Sequence, residues 1–189
     1  MPWGLYIEVG RPDQVGRHVL PDARTSAVRA AAASVTVPYT WLKVPTPPEE
    51  ADRRLPPGWV VDKGETGHLM SVDLPGTEAG ATTAPEGYTA SVESGDGVTY
   101  VRVHDRAGER AATGQLAVLG EFAVVDRVVT EEAHRRRGLG AFVMRALAAH
   151  AASEGASLGV LGATDEGRAL YETLGWKAHT PLAACMYRP

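Results

Sequence analysis

One segment constrains this chain more than any other: Val128-Val-Thr-Glu-Glu-Ala-His-Arg-Arg-Arg-Gly-Leu-Gly-Ala141. A β-branched run enters a basic turn with two glycines. A run with helical spacing leaves it, since Leu139, Phe142, Val143, Ala146 and Leu147 fall on one helix face. A strand that feeds a helix must pack that helix back onto its sheet, which calls for a layered fold of helices on strands. The turn also has a chemical meaning. The first N–H groups of a helix lack backbone partners, and the helix dipole favours negative charge there. Gly138 and Gly140 let backbone come close to a phosphate, and Arg135, Arg136 and Arg137 add charge and forked donors. Residues 135–141 therefore read as a cradle for a pyrophosphate. Gly-Lys-Ser/Thr is missing, so this is no Walker loop. Position 143 is Val, so it lacks the third glycine of a dinucleotide fingerprint.

A basic turn can also serve nucleic acid, and here the charge balance decides. The net charge is −4; residues 1–85 carry 8 basic and 10 acidic side chains, and the remainder 11 and 13. Neither half is a basic arm, so no nucleic-acid partner is expected. A single cysteine, Cys185, leaves no internal disulfide and no zinc site built on cysteine pairs. The histidines lack metal-ligand spacing, and no metal is expected. The start of the chain lacks the pattern of a signal peptide, and no apolar run approaches the ~20 residues of a membrane helix. A cytoplasmic protein without a membrane partner is the expectation. Arginine outnumbers lysine 16 to 3, isoleucine occurs once and asparagine not at all. All the depleted types have AT-rich codons, which suits a GC-rich bacterial genome.

Along the chain, strands are expected at residues 5–9, 36–44, 59–61 and 68–74, the last two joined by a glycine-rich turn. A helix capped by Asp22 is expected through Ser34, and a short one over residues 48–55. Pro75 to Gly87 reads as a linker. Beyond it, residues 88–92, 99–104, 112–119 and 121–129 read as an antiparallel meander. Then come a helix from Gly138 to Ser153, a strand at 157–161, a helix from Asp165 to Leu174, and closing strands at 176–179 and 183–187. There is an internal echo. Gly58-Trp59 precedes Met70 as Gly175-Trp176 precedes Met186, each after a helix, a strand and a short helix. A degenerate half-duplication is one cause of such a pattern.

Two motifs carry a family resemblance. Arg135-Arg-Arg-Gly-Leu-Gly140 is similar to the Gln/Arg-x-x-Gly-x-Gly/Ala signature of the GNAT superfamily of acetyl-CoA-dependent N-acetyltransferases. Ala169-Leu-Tyr-Glu-Thr-Leu-Gly-Trp176 resembles that superfamily's second motif, in the right order and at a typical spacing. The resemblance covers about Gly87 to Pro189. It implies an α/β (α+β) fold: a mixed, mainly antiparallel GNAT-like sheet flanked by helices, occupying residues 86–189. Residues 1–80 are expected to form an N-terminal α/β extension, for which a degenerate half-copy is one reading and a chance echo the other. The resemblance further implies that Val128, Val129 and Thr130 offer backbone groups to the pantetheine arm of acetyl-CoA. It assigns Arg135, Arg136, Arg137, Gly138, Leu139, Gly140 and Ala141 to the pyrophosphate, and Tyr171 to a place facing the CoA sulfur.

The chemistry agrees with those roles. An amine must be neutral to attack a thioester, so a base has to take a proton. Asp126, close to the expected strand bulge, is the candidate base ahead of Glu121. A backbone N–H near the bulge can stabilise charge on the carbonyl oxygen. Tyr171, with an ordinary pKa of roughly 10, keeps a proton to give to the departing thiolate. Direct transfer in a ternary complex needs no protein nucleophile, which leaves Cys185 a strand residue. His134 reads as a residue that shapes the turn. Many superfamily members carry an Asn after the fifth strand; this chain has Ala163-Thr164-Asp165-Glu166, and Thr164 is the candidate replacement at the cofactor. The expected partners are a small-molecule amine or an amino-terminal acceptor, with a homodimer as the open oligomeric alternative. The rival to an enzyme is a non-catalytic CoA-binding sensor on the same fold.

Overall fold

The computed structural model describes residues 4–74 and 83–189. Most of the expected linker, from Pro75 onward, lies outside the described residues. The described chain divides into two compact units, each discontinuous in sequence. One comprises residues 1–69, 162–165 and 179–189; the other comprises 70–161 and 166–178. Among the described residues no helix is long and apolar enough to cross a membrane.

In the first unit, β1 (Leu5–Arg11) and β2 (Gln14–Val19) form an antiparallel hairpin. Helix α1 (Thr25–Ser34) then carries the chain to β3 (Thr40–Val44), which pairs with β2 in parallel. Parallel neighbours need such a crossover. α1 forms because Val28, Ala31, Ala32 and Val35 repeat at helical spacing, and all four are buried. They pack with Leu20, Leu42, Val44, Ala51, Trp59, Ala183 and Cys185 in one apolar core. A short helix α2 (Pro48–Asp52), with proline in its first turn, leads to β4 (Trp59–Asp73). The last strand, β10 (Lys177–Tyr187), pairs antiparallel with β3 through residues 183–186.

Four expectations are corrected here. β4 is one strand, because the Gly64–Gly67 stretch keeps strand geometry where a turn was expected. β10 is likewise continuous, with Pro181 inside it. β2, too polar to signal itself, was missed. Asp22 caps less directly than expected: its carboxylate accepts the Arg24 N–H at 2.9 Å, and Arg24 is the residue that opens α1.

The second unit begins with the expected meander. β5 (Thr89–Gly95), β6 (Val98–His104), β7 (Arg110–Leu119) and β8 (Phe122–Thr130) pair in succession, all antiparallel. Asp96 (φ 53°) and Gly97 (φ 76°) close the first hairpin in two residues, a turn type that needs positive φ at both. Helix α3 (Leu139–Ser153) crosses over to β9 (Leu158–Ala163), which pairs with β8 in parallel. α3 buries Leu139, Phe142, Val143, Ala146 and Leu147, and Val101, Val103, Leu116, Ala123 and Val125 are buried on the strands of this unit. Each large buried side chain stabilises by roughly 1.5–3 kcal/mol. Helix α4 (Asp165–Thr173) follows β9. The whole is an α+β fold with a mixed, mostly antiparallel set of strands and few helices.

Candidate functional site

The site of the second unit starts with a defect in β8. Gln115 pairs with Asp126 and Thr113 with Val129, so Gly114 alone faces both Arg127 and Val128. That is a β-bulge. Arg127 takes φ 52°, which sharpens the bend. Glycine is required opposite it: a Cβ on Gly114 would stand 2.6 Å from Val143 Cγ1 and 3.0 Å from Leu147 Cδ1 of α3.

The second element is a split. β8 and β9 pair only from Phe122–Leu158 to Val124–Val160. The bulge and Val128, Val129 and Thr130 lie further along β8, where no β9 pairing exists among the described residues. Backbone donors and acceptors on that edge are thus open to an extended ligand.

The third element is the turn. A short 3-10 turn (Glu132–His134) ends β8, Arg136 takes φ 61°, and Gly138 (φ 78°) opens α3. No side chain caps α3, and its first turn holds no acidic residue. An added Cβ at Gly138 would meet nothing within 4 Å, so the space before the helix is free. Gly140 is close-packed instead, with a hypothetical Cβ 3.0 Å from Leu170 Cδ2. These residues fit a pyrophosphate: unpaired N–H groups, a favourable dipole and no competing carboxylate. Arg135 Nε donates to the Thr130 carbonyl at 3.3 Å, tying the turn to the strand end.

Tyr171 lies on α4, 8% exposed, with its ring 6.2 Å from that of Trp176. Its carbonyl accepts the N–H groups of Leu174 and Trp176, which ends the helix. Burial, and then the negative charge of Asp126, push the phenol pKa above its ordinary value. The two residues expected to move protons are therefore electrostatic neighbours. Asp126 is half exposed, and its nearest cation, Arg127 Nε, is 4.0 Å away. A contact that long, in solvent, does little to occupy the carboxylate. Thr164, between β9 and α4, falls in the first unit; the bulge, the glycine turn and Tyr171 fall in the second. Cys185, fully buried in the first unit, has its thiol pushed up to about 12 by burial, which removes it as a nucleophile.

Sequence reasoning missed two residues at this site. Tyr88 bonds to both His134 and Arg137, and Asp105 faces His134. The turn signal at Ala107-Gly108 marked the loop of Asp105 but not its target.

Strand, bulge, split and glycine turn together define an acyltransferase architecture, and comparison with known proteins agrees. The model of the acetyltransferase (GNAT) family matches residues 69–176. The chain belongs to that family. No curated protein matches the sequence. Among solved structures, a GCN5-related N-acetyltransferase from Kribbella flavida is similar at 18% identity, covering 92% of this chain and 81% of that one, with a TM-score of 0.61. A GNAT-family acetyltransferase from Novosphingobium aromaticivorans is 21% identical over 88% of this chain and 82% of that one, TM-score 0.60. A tandem GNAT protein from the clavulanic acid biosynthesis pathway is 14% identical over 92% and 75%, TM-score 0.62. At these identities the likeness is one of fold.

Proposed function

We propose that the chain transfers an acetyl group from acetyl-CoA to a primary amine, directly and without a covalent enzyme intermediate. The observation that carries this reading is the uncapped, carboxylate-free start of α3, set in a positive-φ glycine turn just past the split of β8 from β9. Backbone groups of Val128, Val129 and Thr130 bind the pantetheine arm, and residues 135–141 hold the pyrophosphate.

In the reaction the amine nitrogen attacks the thioester carbonyl carbon, and the carbon–sulfur bond breaks. The carbonyl oxygen gathers charge beside the bulge, where a backbone N–H can donate a hydrogen bond to it. Asp126 takes the proton that the amine gives up. Tyr171, kept protonated by burial and by Asp126, gives its proton to the thiolate. Exchange through water then returns both groups to their starting states. The acceptor enters from the Asp126 end of β8, since the cofactor occupies the end beyond the bulge. A cationic or amino-terminal group suits the exposed carboxylate there.

Release of CoA thiol from acetyl-CoA, measured over a panel of amines, amino acids and peptides, tests the reading. Turnover on any member supports it. Acetyl-CoA binding without turnover on the whole panel favours the non-catalytic sensor, to which the absence of asparagine also points. Failure to bind at millimolar acetyl-CoA excludes both.

A further inference from the structure

Tyr88 stands just before β5, where Gly87 (φ 83°) turns the chain and the Tyr88 N–H donates to the Pro85 carbonyl at 3.1 Å. Its phenol oxygen reaches into the glycine turn. Arg137 donates an Nη1–H to that oxygen at 3.2 Å, and His134 Nδ1 lies 3.0 Å from it. The two rings meet edge to face at 5.7 Å. The other imidazole nitrogen, Nε2, faces Asp105 Oδ2 at 3.7 Å, with the His134 and Asp105 side chains 18% and 24% exposed. Asp105 is anchored in turn, since its Oδ1 accepts the N–H groups of Ala107 at 2.9 Å and Glu109 at 3.0 Å.

Counting protons selects one arrangement. A guanidinium only donates, so the phenol oxygen accepts from Arg137 and has its own proton to place. That proton goes to a bare Nδ1. The imidazole proton then sits on Nε2, toward the Asp105 carboxylate. The opposite tautomer would aim a second N–H at the phenol oxygen and a lone pair at a carboxylate. A doubly protonated ring would leave the phenol proton without this acceptor.

We propose that Tyr88 is a positioning residue for the acyl-CoA pyrophosphate. Its phenol selects the His134 tautomer and ties Arg137. The entry to β5, the β6–β7 turn and the glycine turn are thereby pinned together in binding shape before the ligand arrives. Arg137 keeps its remaining N–H groups for phosphate. A cradle formed in advance binds more tightly because less order is lost on binding. The proposal rests on the acetyl-CoA reading above.

The test uses the full chain and Tyr88→Phe, which removes only the hydroxyl. Long-range proton–nitrogen correlation spectra should show His134 with a bare Nδ1 in the wild type and with mixed tautomers in Tyr88→Phe. Calorimetry should show acetyl-CoA bound about five- to tenfold more weakly by the variant, as expected for one lost hydrogen bond. Binding of S-acetylpantetheine, which lacks the pyrophosphate, should not change. His134→Asn, whose amide oxygen can stand near the Nδ1 position and accept the Tyr88 proton, should lose less affinity than His134→Leu, which should behave as Tyr88→Phe. A wild-type His134 protonated at Nδ1 overturns the proposal. Equal losses for both acyl donors, or none for either, also overturn it. A wild type that binds no acetyl-CoA overturns the function and this role with it, and the imidazole spectrum separates that failure from an error in the relay.

Discussion

Two helices in this chain do the same topological job and differ in chemistry. α1 joins the parallel pair β2 and β3; α3 joins the parallel pair β8 and β9. After each come a short helix and a Gly-Trp step, and Gly58 and Gly175 share φ 88°. Both tryptophans are buried, Trp59 against the ring of Tyr187 and Trp176 against that of Tyr171. The order of these elements matches. The turns that open the helices do not match. α3 begins at Gly138 after three arginines, with no carboxylate in its first turn. α1 follows Leu20-Pro21-Asp22-Ala23-Arg24, where the Asp22 carboxylate already bonds the Arg24 N–H and Arg24 Nε, both at 2.9 Å. An anion is in place there, so a second one would be repelled. One kind of backbone crossover thus opens on two different turns, and the turn residues decide which helix end is free of a competing anion.

The comparison breaks most easily at the binding step. Calorimetry should find one acetyl-CoA site per chain; two sites would erase the distinction between the helices. Gly138→Asp should weaken that site by about 100-fold or more, because it sets a negative charge at the helix end and forces a side chain into positive φ. Asp22→Asn, the mirror change at α1, should leave acetyl-CoA affinity as it was.

Catalysis comes next. Tyr171→Phe should lower turnover about 10- to 100-fold while the acetyl-CoA dissociation constant stays put, since the phenol proton is needed only as the thiolate forms. Unchanged turnover on an identified amine would remove Tyr171 as the acid.

A third break concerns packing under the bulge. Gly114→Val should destabilise the fold by about 1–3 kcal/mol, because Val143 and Leu147 hold the space and α3 must shift to admit a side chain. Thermal denaturation reads this as a fall of several degrees. If the midpoint holds, the close approach of α3 is not what demands glycine opposite the bulge.

The contrast between the units also explains what the residues announced and what they hid. The glycine turn was readable because its chemistry is local: glycines, arginines and a helix onset lie within a few residues. The meander was readable because Tyr100-Val-Arg-Val-His alternates cleanly. Gln14–Val19 alternates too weakly to mark β2, whose place is set by pairing with β1 and β3. Gly64, Gly67 and Pro181 looked like breaks, and each sits inside a continuous strand. The Tyr88–His134–Asp105 contact joins residues far apart in sequence, so no spacing rule reaches it. Gly114 gave no hint either, since the need for glycine comes from α3 pressing on a bulge.

The smallest expected effect concerns the pairing of Asp126 with Tyr171. Burial raises the phenol pKa first, and the Asp126 charge adds to it. Asp126→Asn removes the charge and leaves the burial. Spectrophotometric titration of phenolate should then show the Tyr171 transition moving down in pH, yet staying above the ordinary value of roughly 10. The sign follows from the cause: a nearby carboxylate disfavours a second negative charge, so its loss makes the phenol a stronger acid. The linkage has the same direction. A raised folded pKa contributes stability that is complete below the ordinary phenol value and is lost as pH rises through the folded one. Asp126→Asn should therefore begin that loss at lower pH. Turnover should respond differently, falling at all pH values where Asp126 accepts the amine proton. A variant whose phenol titration moves while its rate holds would keep the electrostatic pair and discard Asp126 as the base.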